Sequence, residues 1–412
     1  MKIVFTDKII AVYYSTGKRP LTMTLSHPIQ LNGITWKHTR GLLPMLATAQ
    51  RFGEIHPEIE IAWETRSLQS FADEPLEVLA RRYDLLVIDH PSCGRASAGG
   101  FLLPLERTIS PEPLRDLEEN SVGDSFASYR YAGHQWALPI DAAAPVSFYR
   151  SDLLKQAGEA APETWDDLMR LARLGLVLVS GLAIDSLMHF FMLCLALGEE
   201  PFTLAEEVVS AAVGEEAMRL LRQLLEACPR ECLSANPIAI WNRLAASNRE
   251  AYCPFAYGYS NYSRPGYGEH IIEAGELVSF RGAPLRSTLG GAGLAISTKC
   301  KEVAIAAAYA EYVAGGRCQS TLYFDSGGQP GHRAAWLDAE VNRRSDDFFV
   351  KTLPVLDRAW VRPRFDGYLD FQQRAGEALH QFLSQGGDPG ATLQAMNGVL
   401  REVRAAQESE AR

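Results

Sequence analysis

The chain has 412 residues, of which 47% are hydrophobic and 22% are charged. This composition is typical of soluble globular proteins, so we exclude a fibrous or largely disordered chain and expect two or three packed units. Because 50 acidic residues stand against 40 basic ones, the formal net charge is −10, which repels nucleic acid phosphates and anionic lipid surfaces. We expect no nucleic acid partner and no membrane insertion.

The seven cysteines are odd in number and show no repeated spacing. Cys228 and Cys232 are the nearest pair, but a structural zinc site needs four ligands and no second Cys or His pair follows at a suitable spacing. We therefore expect reduced thiols without a native disulfide, no metal site and no cofactor.

The beginning of the chain bears on its location. Asp7 and Lys8 interrupt the first apolar residues and no small-residue cleavage site follows, which argues against a secretory signal. As written, the chain is expected in the cytoplasm; a periplasmic location is the alternative if the true start lies elsewhere, for example at Met23. Residues 1–23 are predicted to be a poorly ordered extension.

The longest apolar stretch covers residues 171–198 and has the length of a membrane span. Arg173, Asp185 and His189 interrupt it, and its first half is rich in β-branched residues. We predict a strand at 175–180 followed by a buried helix, so the stretch belongs to a protein core.

Strands and helices alternate in the first hundred residues. The pattern predicts strands at 34–36, 58–63 and 84–88 and helices at 42–52 and 77–83. Such alternation implies a parallel sheet with helices on both faces, in which ligands lie beyond the carboxyl ends of the strands. The loops at 37–40 and 89–94 are therefore the first places to look for a site.

The later pattern is mixed. It predicts a hairpin arm at 133–139, a strand at 144–149, a helix beginning after Thr164, helices across 187–248, an aromatic loop at 252–262, a glycine-containing strand at 290–297, a helix at 303–314, and helices from 348 onward with breaks at Pro363 and 386–390.

Three stretches carry a family resemblance. They are Ile34-Thr-Trp-Lys-His38 with Phe52-Gly-Glu-Ile-His-Pro57-Glu-Ile59; Tyr131-Ala-Gly-His-Gln-Trp-Ala-Leu-Pro139 with Thr164-Trp-Asp-Asp-Leu168; and Gly290-Gly-Ala-Gly-Leu-Ala-Ile-Ser297 with Gly327-Gly-Gln-Pro330. In this order they resemble the extracellular solute-binding proteins of bacterial ABC importers, specifically the carbohydrate-type, maltose-binding-protein-like group. Arg150 departs from the pattern, since that group usually has Asn there.

The resemblance implies an α/β fold of the two-lobed, periplasmic-binding-protein-like type II, with a hinge between the lobes. Lobe 1 would contain 24–139 plus 289–332, and lobe 2 would contain 140–288 plus 333–412. The implied function is that of a monomeric, non-catalytic binding protein. It would capture a small polar organic ligand, a sugar or polyol, for uptake through an ABC importer permease or for sensing.

The resemblance also places the ligand contacts. It places them at His38, Thr39 and Arg40; at Asp89 and His90; at Asp141; at Tyr257, Tyr259 and Tyr262; and at Arg364, Asp366 and Tyr368. Aromatic side chains suit the C–H faces of sugars, while planar polar groups suit their hydroxyls. Asp141 has a hinge role as an equal alternative, Arg364 suits an anionic group if the ligand has one, and Trp36, Tyr252 and Phe255 are expected to be packing residues.

Two other functions stay open at this point. One is a cytoplasmic enzyme that reuses the fold, with Asp89, His90 and Asp141 as acid–base groups. The other is a ligand-sensing partner of a regulator. The sequence contains no H-E-x-x-H, G-x-S-x-G or P-loop pattern that would favour an enzyme.

Overall fold

A computed structural model describes residues 2–6, 9–13, 21–24, 28–68 and 74–410. The chain divides into two compact units. Unit 1 comprises Met1–Ser121, Ser125–Asp141 and Gly291–Ala335, and unit 2 comprises Val122–Asp124, Ala142–Gly290 and Trp336–Arg412. Both units are therefore built from segments that are distant in sequence.

The strands are short and lie mostly in the first 300 residues. They are β1 (Lys2–Thr6), β2 (Ile9–Tyr13), β3 (Leu21–Thr24), β4 (Ile29–Trp36), β5 (Ile59–Arg66), β6 (Leu85–Ile88), β7 (Arg130–Tyr131), β8 (His134–Gln135), β9 (Leu138–Ala143), β10 (Pro145–Tyr149), β11 (Tyr252–Tyr257), β12 (Glu273–Gly275), β13 (Ser279–Phe280), β14 (Ala283–Pro284) and β15 (Gly290–Ile296). Strands β1–β3 form an antiparallel sheet. Other parts of segment 1–23 lie outside the described residues, so its assignment as an extension stays a prediction.

Helices make up most of the remainder. They are α1 (Thr39–Ile55), α2 (Leu76–Arg82), α3 (Cys93–Gly99), α4 (Pro111–Asn120), α5 (Ser125–Ser128), α6 (Ser151–Gln156), α7 (Trp165–Arg173), α8 (Ala183–Ala196), α9 (Ala211–Glu226), α10 (Pro237–Ala246), α11 (Val303–Ala314), α12 (Gly316–Cys318), α13 (Arg333–Leu337), α14 (Ala339–Arg343), α15 (Phe348–Asp357), α16 (Tyr368–Gln385) and α17 (Pro389–Glu410).

A five-stranded sheet of order β5-β4-β6-β15-β9 organises unit 1. Strands β5 and β6 both pair parallel with β4, and β15 pairs antiparallel with β6 through Gly293 and Ile88. The prediction that the strand at 290–297 joins the sheet of Leu85–Ile88 is confirmed. The expectation of a parallel sheet is wrong for β15, because this strand enters at the edge where β6 ends and needs no helical crossover.

The core of unit 1 lies on both faces of this sheet. One face packs Trp36, Phe52 and Tyr309 in a large apolar cluster, and the other packs Ile34, Leu86 and Tyr129. The packing role expected for Trp36 is confirmed by its 5% exposure.

A three-stranded sheet of order β11-β10-β12 lies in unit 2. The interpretation of 252–262 as a loop is wrong, because β11 occupies its first half and a short 3-10 helix covers Ser260–Ser263. Tyr252 and Phe255 are each 1% exposed, which confirms their packing role and explains why the segment is extended and buried.

The apolar stretch 171–198 follows its prediction with one difference. Residues 171–173 end α7, and the segment predicted as a strand at 175–180 forms only a single parallel bridge, between Val177 and Tyr252. The second half is α8, whose residues are buried from Asp185 to Cys194. Among the residues described, no helix combines the length and the apolar character that a membrane crossing requires.

Candidate functional site

The carboxyl edge of the unit 1 sheet collects several polar side chains. Because β4, β5 and β6 run in the same direction, the residues that follow Trp36, Arg66 and Ile88 leave the sheet at one edge. The segments 37–40 and 89–94, predicted as ligand loops, therefore begin at the same edge, although a helix starts inside the second of them at Cys93.

Arg40 and Asp141 form a buried bidentate ion pair at this edge. The Arg40 Nε donates to Asp141 Oδ2 at 2.8 Å, and the second guanidinium nitrogen donates to Oδ1 at 2.5 Å. Their side chains are 4% and 1% exposed. Burial raises the pKa of Asp141, an effect that Arg40 opposes and the nearby charge of Asp89 reinforces. The pair brings together two predicted site residues.

His38 caps the helix that carries Arg40. Its Nδ1 accepts a hydrogen bond from the Arg40 backbone N–H at 3.0 Å, so α1 begins with its first turn satisfied. Burial, with a smaller contribution from the Arg40 charge, lowers the pKa of His38 to about 4. The imidazole is therefore neutral at pH 7 and its Nε2 carries the proton. Thr39 is the exposed first residue of α1.

Asp89 and His90 also contact each other. Asp89 Oδ1 accepts from the His90 backbone N–H at 2.8 Å and lies 3.2 Å from His90 Nδ1. The His90 ring is fully buried and stands edge-on to Tyr129, with ring centroids 6.2 Å apart. His90 is thus fixed against the core, while Asp89 is partly exposed.

Tyr257 ends β11 and is the most accessible of the three predicted tyrosines. Its backbone carbonyl accepts a hydrogen bond from Trp241 Nε1 at 3.0 Å, and its hydroxyl lies 3.4 Å from Thr288 Oγ1. The ring lies against Gly290, where an added Cβ would come within 2.5 Å of the Tyr257 Cε1 atom. The hydrogen bond from Trp241 and the close backbone of Gly290 therefore hold Tyr257 in place.

Tyr259 and Tyr262 are more deeply packed, with exposures of 5% and 2%. The Tyr262 hydroxyl donates to Asn242 Oδ1 at 2.7 Å, and its ring stands edge-on to Tyr267 at 5.1 Å. These contacts give Tyr262 a clear packing role; ligand contact by either residue stays a prediction.

Arg364, Asp366 and Tyr368 lie just before and at the start of α16. The first two are half-buried, whereas Tyr368 is fully buried among the rings of Phe202, Phe365 and Phe371. Tyr368 therefore has a packing role, and ligand contact by these three residues stays a prediction.

Sequence reasoning missed several polar residues. Arg66 ends β5 at the same edge, 8% exposed, and donates to the Val87 carbonyl at 3.0 Å. In unit 2, Asp185 and His189 are buried in the first half of α8. The available signal in the sequence was an Asp and a His four positions apart inside an apolar run. That pattern is also typical of a buried core helix, so it does not indicate a site by itself. No cluster of three or more metal-ligating side chains occurs in the described ranges.

Comparisons with known proteins agree with this architecture. Residues 36–176 match the family model described as "Bacterial extracellular solute-binding protein". The matched segment spans about a third of the chain. The match includes β5, β6 and both loops at the carboxyl edge of the unit 1 sheet, together with Asp141.

Solved structures of solute-binding proteins share the fold over nearly the whole chain. Maltose-bound MalE3 of T. maritima covers 91% of this chain and 99% of its own, with 18% identity and a TM-score of 0.79. A ribitol complex of an ABC transporter solute-binding protein from Agrobacterium radiobacter has 18% identity, the same two coverages and a TM-score of 0.78. A D-mannitol complex from Agrobacterium vitis has 15% identity, covers 92% of this chain and 99% of its own, and has a TM-score of 0.75. The predicted α/β fold of the two-lobed solute-binding type is confirmed.

A curated relative is similar over a shorter stretch. The mannitol-binding protein of Pseudomonas aeruginosa is 31% identical over 136 residues, which are 32% of this chain and 30% of that protein. The matched stretch therefore spans less than a third of the relative.

Proposed function

We propose that this solute-binding protein captures an uncharged sugar or polyol without catalysing its conversion. The family match supports solute capture, and similar proteins are described as binding mannitol, ribitol and maltose. None of these descriptions names an enzyme.

The charge balance at the carboxyl edge of unit 1 is the observation that supports an uncharged ligand. Arg40 is paired with Asp141, and the more distant Arg66 has Glu74 at 3.9 Å. Since His38 is neutral as well, the described residues of this edge present hydrogen-bonding groups without a lone guanidinium that would select an anion. Hydroxyl groups, which both donate and accept, suit such an edge.

The acid–base alternative finds little support in the geometry. Asp141 is 1% exposed and held by Arg40, and His90 is fully buried. A general acid or base must reach the proton that it transfers, and neither of these side chains is accessible for that role.

Partner and location belong to the proposal as well. Delivery to an ABC importer permease is the use that fits a family of extracellular solute-binding proteins. The cytoplasmic location expected from the sequence stays a prediction. Fractionation of cells that express the gene tests it, since recovery of the protein in the periplasm would contradict that location.

A thermal-shift screen tests the ligand class. Sugars, polyols, acyl compounds and nucleosides would each be added to the purified protein. A ligand present at 100 times its Kd stabilises the protein by about 2.7 kcal/mol. We expect sugars or polyols to raise the melting temperature, and a response confined to acyl compounds or nucleosides would contradict the proposal.

A further inference from the structure

A π-helical turn in unit 1 begins and ends with a buried polar residue. The turn covers Gln319–Tyr323 and directly follows α12. Gln319 is 0% exposed and Tyr323 is 1% exposed. Such turns are rare in proteins and occur frequently at functional sites. In this chain the first and last residues of the turn are both connected to the carboxyl edge of the unit 1 sheet, through separate contacts.

Gln319 joins the last turn of α11 to a later segment of the chain. Its Nε2 donates to the Val313 carbonyl at 2.8 Å, and its Oε1 accepts from the Gly331 backbone N–H at 2.7 Å. Both hydrogen bonds are buried, so the loss of either one would deprive a buried backbone group of its partner. The amide of Gln319 therefore fixes the position of Gly331 relative to the helix.

Gly331 and its neighbour Pro330 lie against β9. Pro330 pairs with Asp141 in an antiparallel bridge. A Cβ added at Gly331 would lie 2.8 Å from the Pro139 carbonyl oxygen and 3.1 Å from the Asp141 backbone nitrogen. The two backbones thus approach more closely than a residue with a side chain would allow. The hydrogen bond from Gly331 to Gln319 therefore fixes the segment that packs on the backbone of Asp141.

Tyr323 is placed beside the same aspartate at the other end of the turn. Burial raises the pKa of Tyr323, the charge of Asp141 raises it further, and the charge of Arg40 opposes both, which agrees with a phenol close to the ion pair. Gly328 N donates to the Tyr323 carbonyl at 3.0 Å, and a Cβ added at Gly328 would overlap the Tyr323 ring. The π-helical turn therefore approaches Asp141 through both of its end residues.

The ion pair of Arg40 and Asp141 extends this connection to the surface. Arg40 lies in the first turn of α1, directly after the segment that leaves β4. Lys37 and Thr39 of that segment are exposed, whereas Asp141 is 1% exposed. The described contacts thus provide a path from the π-helical turn through Asp141 and Arg40 to the segment 37–40.

We infer that Gln319 is a positioning residue for ligand binding. It fixes the backbone beside Asp141, and Asp141 in turn orients Arg40 and the segment 37–40. The inference rests on the proposed function, because the segment 37–40 is predicted to contact the captured sugar or polyol. A two-point ion pair requires both donors to be aligned with both carboxylate oxygens, so a displacement of Asp141 is passed on to Arg40.

Gln319→Met tests this role, because methionine has a similar length and removes both hydrogen bonds. The wild type and the variant would be titrated calorimetrically with D-mannitol, ribitol and maltose. The titrations would be done well below both melting temperatures, so that unfolded protein does not contribute. We expect the variant to melt at a lower temperature and to bind about fivefold more weakly, or weaker still, because a binding segment loses affinity when its supporting contacts are loosened.

Gln135→Met is the matched control in unit 1. Gln135 is 3% exposed, and its Nε2 donates to the carbonyls of Phe126 and Ala137 at 3.0 and 2.9 Å. This variant should also melt at a lower temperature but bind as tightly as the wild type. An equal loss of affinity in Gln135→Met would show that any weakening of unit 1 impairs binding, and it would overturn the positioning role.

Gln319→Glu adds a rescue that a general loss of stability does not produce. A carboxylate accepts the hydrogen bond from Gly331 but cannot donate to Val313, whereas a protonated carboxyl does both. Since burial raises the pKa of a carboxyl, the affinity of this variant relative to the wild type should be low at about pH 8 and recover at about pH 5.5. The relative affinity of Gln319→Met should be the same at both pH values. Gln319→Glu retains one of the two bonds, so it provides the test if Gln319→Met does not fold.

The outcomes separate this inference from the proposed function. If the wild type binds none of the three probes, the proposed function fails and the positioning role fails with it. If the wild type binds and both Gln319 variants bind equally well at both pH values, Gln319 is not a positioning residue and the proposed function stands. A weakened Gln319→Glu variant that does not recover at the lower pH would also contradict the positioning role.

Discussion

Arg40 and Asp141 are 101 positions apart in the sequence, yet their side chains form a two-point ion pair at the carboxyl edge of the unit 1 sheet. The pair ties the first turn of α1 to β9, the last strand of that sheet. Since both side chains are almost fully buried, each compensates a charge that water cannot reach.

Replacing one partner of this ion pair should lower the stability of the fold more than replacing both partners. Asp141→Leu leaves the Arg40 charge buried and should lower the free energy of unfolding by about 3–5 kcal/mol. The double variant Arg40→Met/Asp141→Leu should recover a substantial part of that loss. Urea unfolding of the wild type, of Asp141→Leu, of Arg40→Met and of the double variant measures the coupling.

The exposed pair Arg51–Glu54 provides a control, because both side chains are about half exposed. Glu54→Gln should leave the unfolding curve unchanged. Additive losses in the Arg40/Asp141 double variant would contradict the prediction of a coupled pair.

His38 should make stability depend on pH between about 4 and 6.5. Its pKa is lowered to about 4 in the folded protein, from 6.5 in the unfolded chain. Above pH 6.5 both states are neutral and the capping contribution is fully present; as the pH falls toward 4 the unfolded chain binds the proton first and stability is lost. His38→Asn retains a cap that does not titrate, so its unfolding free energy should fall less over this range. Parallel pH profiles for the two proteins would count against this assignment.

Gly290 should matter because of Tyr257. An alanine Cβ at this position would lie 2.5 Å from the Tyr257 ring, so the phenol would have to move. If Tyr257 contacts the ligand, Gly290→Ala should weaken polyol or sugar binding several-fold. Gly398→Ala is the control, since its Cβ meets no atom within 4 Å and it lies in a helix. If the two variants bind the ligand with equal affinity, Tyr257 does not contact the ligand.

Arg150 has a structural reason to differ from the residue that the family pattern leads us to expect. Its guanidinium donates to the carbonyls of Leu244, Ala245 and Ser247 at 3.2–3.4 Å, at the C-terminal end of α10, and to both carboxylate oxygens of Asp152. Lysine cannot supply this fork. Arg150→Lys should lower the free energy of unfolding by about 1.5–3 kcal/mol. An unchanged urea midpoint would contradict this role.

Local signals in the sequence predicted much of the fold. The helix start at Thr164 is confirmed, with a capping box in which Thr164 and Asp167 each bond the other's backbone N–H. The helix predicted at 303–314 has those bounds. The antiparallel direction of β15 was not predictable, because strand direction depends on where the returning chain enters the sheet and not on local pattern.

The candidate site was only partly accessible from sequence. The loops after β4 and β6 could be placed at one edge because parallel strands imply it, but the pairing of Arg40 with Asp141 required the tertiary structure. Asp185 was overlooked for a physical reason. In the sequence, an acidic residue inside an apolar run looks the same whether the fold satisfies its carboxyl group or leaves it unpaired. Only the hydrogen bonds in the structure distinguish the two cases.

The central claim is that the protein binds uncharged sugars or polyols. Isothermal titration calorimetry of the full chain with D-mannitol, ribitol and maltose, and with mannitol 1-phosphate as a charged comparison, tests it most directly. We expect saturable one-to-one binding of at least one of the three uncharged ligands and weaker binding of the phosphate ester. Binding of the phosphate ester in preference to all three uncharged ligands, or no binding of any of the three, would contradict the claim.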